Sequence, residues 1–128
     1  MQSQSDIKLF IDFFHDATLR IRKTKPVFVR GKDGKLVKLA LSIFSRPQLE
    51  MLTLWFLAQK PKMAPSIGAM LSRAVLEELQ RKIIDPIFWK ELDAIYETNY
   101  RQPSWTHKLK NHMRAFTAHE LMEFQSRL

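Results

Sequence analysis

Six prolines, at positions 26, 47, 61, 65, 86 and 103, fix where this 128-residue chain can be helical. Proline lacks an amide proton and its ring clashes with the preceding turn, so it opens or ends a helix and is costly inside one. Between these prolines the apolar residues mostly recur every three or four positions, which predicts amphipathic helices. Residues 5–22 place Ile7, Phe10, Ile11, Phe14, Thr18 and Ile21 on one stripe, with Leu9 and Phe13 off it. Ser45 suits a helix cap and Pro47 a first turn, and the helix they open runs to about Lys60 through Leu49, Leu52, Trp55 and Phe56. Residues 66–83 form the next, through Leu71, Ala74, Val75, Leu79 and Ile83. Asp85-Pro86 opens a short helix with Phe88, Leu92, Ile95 and Tyr96. A loop over residues 99–104 precedes a C-terminal helix, 104–128, with Leu109, Met113, Phe116, Leu121 and Phe124 on one face.

Residues 27–43 read differently. Two β-prone runs, 27–30 and 35–43, flank Gly31-Lys32-Asp33-Gly34, and Asp-Gly is a favoured hairpin turn because glycine tolerates positive φ. In the second run Val37, Leu39, Leu41 and Ile43 alternate with Lys38, Ala40 and Ser42, the period of a half-buried strand. The expected fold is therefore mainly α, with four to five helices and one short β-hairpin or β-ribbon near residues 27–43. A length of 128 residues fits one domain spanning 1–128.

Apolar residues make up 45% of the chain, and nine Phe and three Trp can fill a core without metal or disulfide. There is no cysteine, which excludes a thiolate nucleophile, a zinc ribbon and a disulfide framework. The longest apolar run, 51–58, falls far short of the ~20 residues of a membrane span. The first residues lack the charged and apolar regions of a signal peptide. The expectation is a cytoplasmic protein, neither exported nor inserted in a membrane.

The net charge of +8 and a pI near 10.0 point to a polyanionic partner, nucleic acid being the commonest. The charge is also unevenly spread. Arg20, Arg22, Lys23, Lys25, Arg30, Lys32, Lys35 and Lys38 lie close together, with Asp33 the only acid among them. Arg101, Lys108, Lys110 and Arg114 make a second basic segment, with His107 and His112 beside them and no acid. Acids concentrate between Glu77 and Glu97.

No GxSxG, P-loop, HExxH or dinucleotide fingerprint occurs. His119 and Glu123 could share a helix face, but two ligands do not make a metal site, and they read as surface polar residues. No convergent acid, base and nucleophile stand out. The chain is therefore expected to be a binding protein and not an enzyme, with no cofactor, no metal and no evident small-molecule substrate.

Residues 35–83, a candidate DNA-binding core, resemble a ribbon-helix-helix unit: the alternating run 37–43, a helix over 46–60, then Ser66-Ile67-Gly68-Ala69-Met70-Leu71-Ser72-Arg73-Ala74-Val75 as the second helix. The resemblance implies a homodimer whose paired strands enter the major groove. It would turn Lys38, Ala40 and Ser42 toward bases and set Ser66 at a phosphate. A helix-turn-helix within 46–85 is the alternative, with Arg73, Gln80, Arg81 and Lys82 on its recognition helix. DNA is favoured over RNA, in the role of a small regulator or accessory factor. A protein-interaction adaptor and a small RNA-binding protein are the other readings.

Overall fold

The computed structural model describes residues 4–100 and 118–128 of the chain. Seven helices are present among them, where four to five were expected: α1 (Gln4–Arg22), α2 (Arg30–Leu41), α3 (Arg46–Gln59), α4 (Ile67–Met70), α5 (Arg73–Lys82), α6 (Pro86–Tyr100) and α7 (Ala118–Ser126).

The central element is α3. Its start follows from local chemistry: the Ser45 side chain accepts the Gln48 N–H at 3.3 Å, and the Gln48 Oε1 accepts the Ser45 N–H at 2.8 Å, a reciprocal capping box with proline in the first turn. Every residue from 48 to 57 is buried, so the helix is enclosed on all sides and not only along the stripe its sequence advertises. A polar group can sit there only if it is bonded. The Thr53 hydroxyl donates to the Leu49 carbonyl at 2.8 Å and lies 3.3 Å from the Met70 sulfur.

Helices α1, α2 and α6 pack around α3, while α5 and α7 pack on each other. From α1 come Phe10, Phe14 and Ala17, and Thr18, whose hydroxyl is satisfied by the Phe14 carbonyl at 2.7 Å. From α6 come Phe88 and Leu92, with the Phe88 ring 6.3 Å from that of Trp55. Phe124 of α7 lies 5.9 Å from Phe44 at the corner between α2 and α3, which ties the C-terminal helix to the same core. Trp55 and Leu71 are buried, as their phase predicts.

The expected β-hairpin or β-ribbon is not there. Residues 30–41 form α2, and among the described residues the only β pairing is an isolated bridge between Val27 and Ser66. The sequence of this stretch carries two periods, and the helical one prevails. Asp33, Val37, Ala40 and Phe44, at four- and three-residue spacing, are almost wholly buried, whereas Leu39, Leu41 and Ile43 are only half-buried. Neither Gly31 nor Gly34 adopts positive φ, so the Asp-Gly pair makes no hairpin turn. The ribbon-helix-helix resemblance thus lacks its strand: Ala40, expected to face bases, is fully buried, and the intertwined dimer has no strands to pair.

The helix expected over 66–83 is broken in two. Leu71 leaves helical geometry and Ser72 is extended, with its hydroxyl donating to the Ala69 carbonyl at 2.8 Å. The helix opened by Asp85-Pro86 continues to Tyr100, past the expected loop start at 99. The loop over 101–104 and the C-terminal helix before 118, with Leu109, Met113 and Phe116, lie outside the described residues.

Candidate nucleic-acid interface

The basic segment 20–38 spans the end of α1, a connecting loop and most of α2, and the fold divides its charges into two groups. Arg20, although exposed, and half-buried Arg22 both bond backbone carbonyls of other elements. The Arg20 Nε bonds Asp16 at 2.8 Å, its Nη1 donates to the Asn99 carbonyl at 3.1 Å, and its guanidinium lies 4.6 Å from the centre of the Tyr100 ring. The bond to Asp16 raises its pKa. Arg22 closes the C-terminal end of α3. Its Nε donates to the Leu57 carbonyl at 2.8 Å, Nη2 to Lys60 at 2.7 Å and Nη1 to Met63 at 2.6 Å. A cation over the last carbonyls of a helix satisfies orphan acceptors and complements the dipole. Burial depresses the Arg22 pKa, but the group is too basic for its charge to be in question.

The second group faces solvent. Lys23 ends α1 in the left-handed region with φ 59°, its N–H bonded to the Leu19 carbonyl at 3.1 Å and its side chain exposed. Glycine is favoured at such a position by about 1 kcal/mol, yet a lysine is kept here. Lys25 follows, also exposed. The loop is then pinned twice: the Val27 N–H donates to the Pro65 carbonyl at 3.0 Å, and the Val29 N–H donates to the Asp33 carboxylate at 2.6 Å. The first bond brings loop 60–66, with exposed Lys62, alongside. Lys62 had no sequence signal beyond its charge.

Helix α2 sorts the remaining residues by face. Asp33, Val37 and Ala40 turn inward, while Arg30, Gly31, Lys32, Lys35, Lys38 and Ser42 are exposed. No acid among the described residues forms an ion pair with Arg30, Lys32 or Lys35. Asp33, the one acid of the segment, is 2% exposed. The exposed residues of α2 therefore include four cations and no acid, and in the loop before them Val27, Phe28 and Val29 are 54%, 43% and 52% exposed.

The other expected contacts do not join this surface through their side chains. The Ser42 hydroxyl donates to the Leu39 carbonyl at the end of α2. Ser66 caps α4, accepting the Ala69 N–H at 3.1 Å, and that helix is a single turn of four residues. Lys108, Lys110 and Arg114, like His107 and His112, lie outside the described residues. The helix-turn-helix alternative meets a packed face: Arg73 donates to the Gln125 carbonyl at 3.3 Å, and the Gln125 side chain bonds Gln80 at 3.2 Å, so α7 occupies part of the helix that would read bases. Lys82 lies 3.9 Å from Glu78. Glu123, paired with Arg127 at 3.3 Å, and His119 belong to no cluster of three metal-ligating side chains among the described residues.

Two titratable groups outside α2 have buried polar atoms. Burial pushes the Glu50 carboxyl from 4.5 up to about 7, against the pull of Arg46 at 3.0 Å. The Tyr100 hydroxyl is buried with no hydrogen-bond partner among the described residues, and burial raises its pKa as well. No described helix is long and apolar enough to cross a membrane. No protein-family model, curated protein or solved structure matches this chain.

Proposed function

We propose that this protein binds nucleic acid through the outer face of α2 and the loop that leads into it. One observation carries the reading: the only acid of the 20–38 segment is folded inward, while Arg30, Lys32 and Lys35 stand exposed on one helix. Such a face lowers the cost of bringing phosphates together and releases their condensed counterions. The role is binding and not catalysis, and DNA is the first ligand to test, with the chain acting as a small regulator or accessory factor in the cytoplasm. A second reading, docking into a protein assembly, rests on Ile84 and Ile87, which are 81% and 58% exposed at the junction of α5 and α6.

Gel shifts or anisotropy titrations against duplex DNA, RNA and single strands at two salt concentrations test the proposal. Binding should weaken steeply with salt, because each neutralised phosphate contributes about 0.7–0.9 to the slope of log affinity against log salt. Replacing Arg30, Lys32 and Lys35 together by Ala should lower the affinity and reduce that slope by about 2–3. Unchanged binding in the triple variant would remove α2 from the interface. No shift with any nucleic acid at moderate salt would favour the assembly reading.

A further inference from the structure

The nucleic-acid reading leaves one feature of the surface unused. Phe28 is 43% exposed at the start of the cationic face, with Val27 and Val29 exposed on either side. Leaving three successive apolar side chains in water is unfavourable, and a floppy loop would bury them by collapse. This loop cannot collapse freely. The backbone amide before Phe28, that of Val27, is bonded to Pro65, and the one after it, that of Val29, is bonded to Asp33. The ring is therefore presented from a backbone already ordered at both ends, so a ligand stacked on it would lose little further chain entropy. Lys23 and Lys25 precede the ring, and Arg30 and Lys32 follow it, all exposed.

We infer that the ligand is single-stranded, and that Phe28 is a stacking platform for an unpaired base while the flanking cations track the backbone on either side. This rests on the nucleic-acid reading above and narrows it. An aromatic ring between cations suits a single strand, whose bases offer open faces, better than a duplex, whose faces are covered by neighbouring pairs. Charge complementarity favours a polyanion over an apolar protein partner, because four exposed cations and no exposed acid lie within five residues of Phe28 in the chain.

The test uses the full chain with fluorescent oligothymidylate of about 15 nucleotides, its RNA counterpart and a duplex of equal length. The wild type should bind a single strand more tightly than the duplex, and the DNA and RNA arms show which backbone is preferred. Phe28→Ala should weaken single-strand binding about five- to hundredfold, the range of one lost stacking contact, with duplex binding and the salt slope unchanged. Phe28→Trp should restore affinity and report stacking directly, as added indole fluorescence quenched by the single strand. Circular dichroism checks that both variants are folded. If Phe28→Ala binds single strands like the wild type while the Arg30, Lys32 and Lys35 variant does not, stacking is wrong and the basic face stands. If the wild type binds no nucleic acid, both readings fall. Phe28-dependent binding to vesicles of phosphatidylserine and phosphatidylcholine without any single-strand preference would overturn the inference for a membrane surface. A dimer in sedimentation that Phe28→Ala dissociates would overturn it for a second copy of the chain.

Discussion

Val29 and Asp33 hold each other through two hydrogen bonds: the Asp33 carboxylate accepts the Val29 N–H at 2.6 Å, and the Asp33 N–H donates to the Val29 carbonyl at 2.8 Å. Together they start α2, fix the loop that carries Phe28 and turn the segment's one acid away from solvent. Asp33→Ala leaves the Val29 amide without its acceptor. It should cost about 1–3 kcal/mol, a fall of roughly 4–10 °C in Tm. Asp33→Asn keeps an acceptor oxygen and should lose less. Thermal melts of the two variants side by side check this, and equal melting of Asp33→Ala and wild type would refute the capping role.

Gly34 distinguishes the helix from the hairpin. It has ordinary helical φ, and a Cβ added there would meet nothing within 4 Å. Gly34→Ala should therefore stabilise the protein by about 0.5–1 kcal/mol, by removing freedom from the unfolded chain. In a hairpin turn with positive φ the same change would destabilise. The sign of the shift in a urea melt decides between them.

Arg22 tests the division of the basic segment. Its side chain caps three carbonyls, so Arg22→Ala should cost about 2–4 kcal/mol, and Arg22→Lys nearly as much because one ammonium cannot cover all three. Well below the melting temperature, both folded variants should bind polyanions almost as the wild type does. A large loss of binding with unchanged stability would show that Arg22 contacts the ligand instead.

Glu50 predicts a pH dependence. Burial pushes its carboxyl up to about 7 in the folded chain from an ordinary 4.5, so between those values the native state holds more protons than the unfolded one. The stability this provides is complete below about pH 4.5 and is lost as the pH rises through 7. At most it amounts to about 3 kcal/mol. Glu50→Gln keeps the shape without the charge. Its advantage over the wild type should widen in urea melts taken from pH 5 to pH 8, whereas parallel curves would place Glu50 in a better-solvated setting.

The charges of the 20–38 segment are legible in the sequence, but their use is not. Arg22 looks like its neighbours, and its acceptors at Leu57, Lys60 and Met63 lie 35, 38 and 41 residues further along the chain. Residues 36–43 satisfy a two-residue and a 3.6-residue period at once, so local pattern alone could not choose between strand and helix. Packing on α1, α3 and α4 chose, because a helix buries Val37 and Ala40 and lets Asp33 bond the Val29 amide.

The sequence by itself determined most of the helices, the cap at Ser45, the starts and stops at proline and the burial of Trp55, because these depend on neighbours within one or two turns. Tertiary structure alone decided that residues 48–57 of α3 would all be buried, that Arg20 and Arg22 would bond distant backbone carbonyls, and that Asp33 would turn inward while Arg30, Lys32 and Lys35 stay exposed. Those outcomes depend on which distant carbonyls and apolar faces compete for each residue, and that competition exists only once the helices have packed.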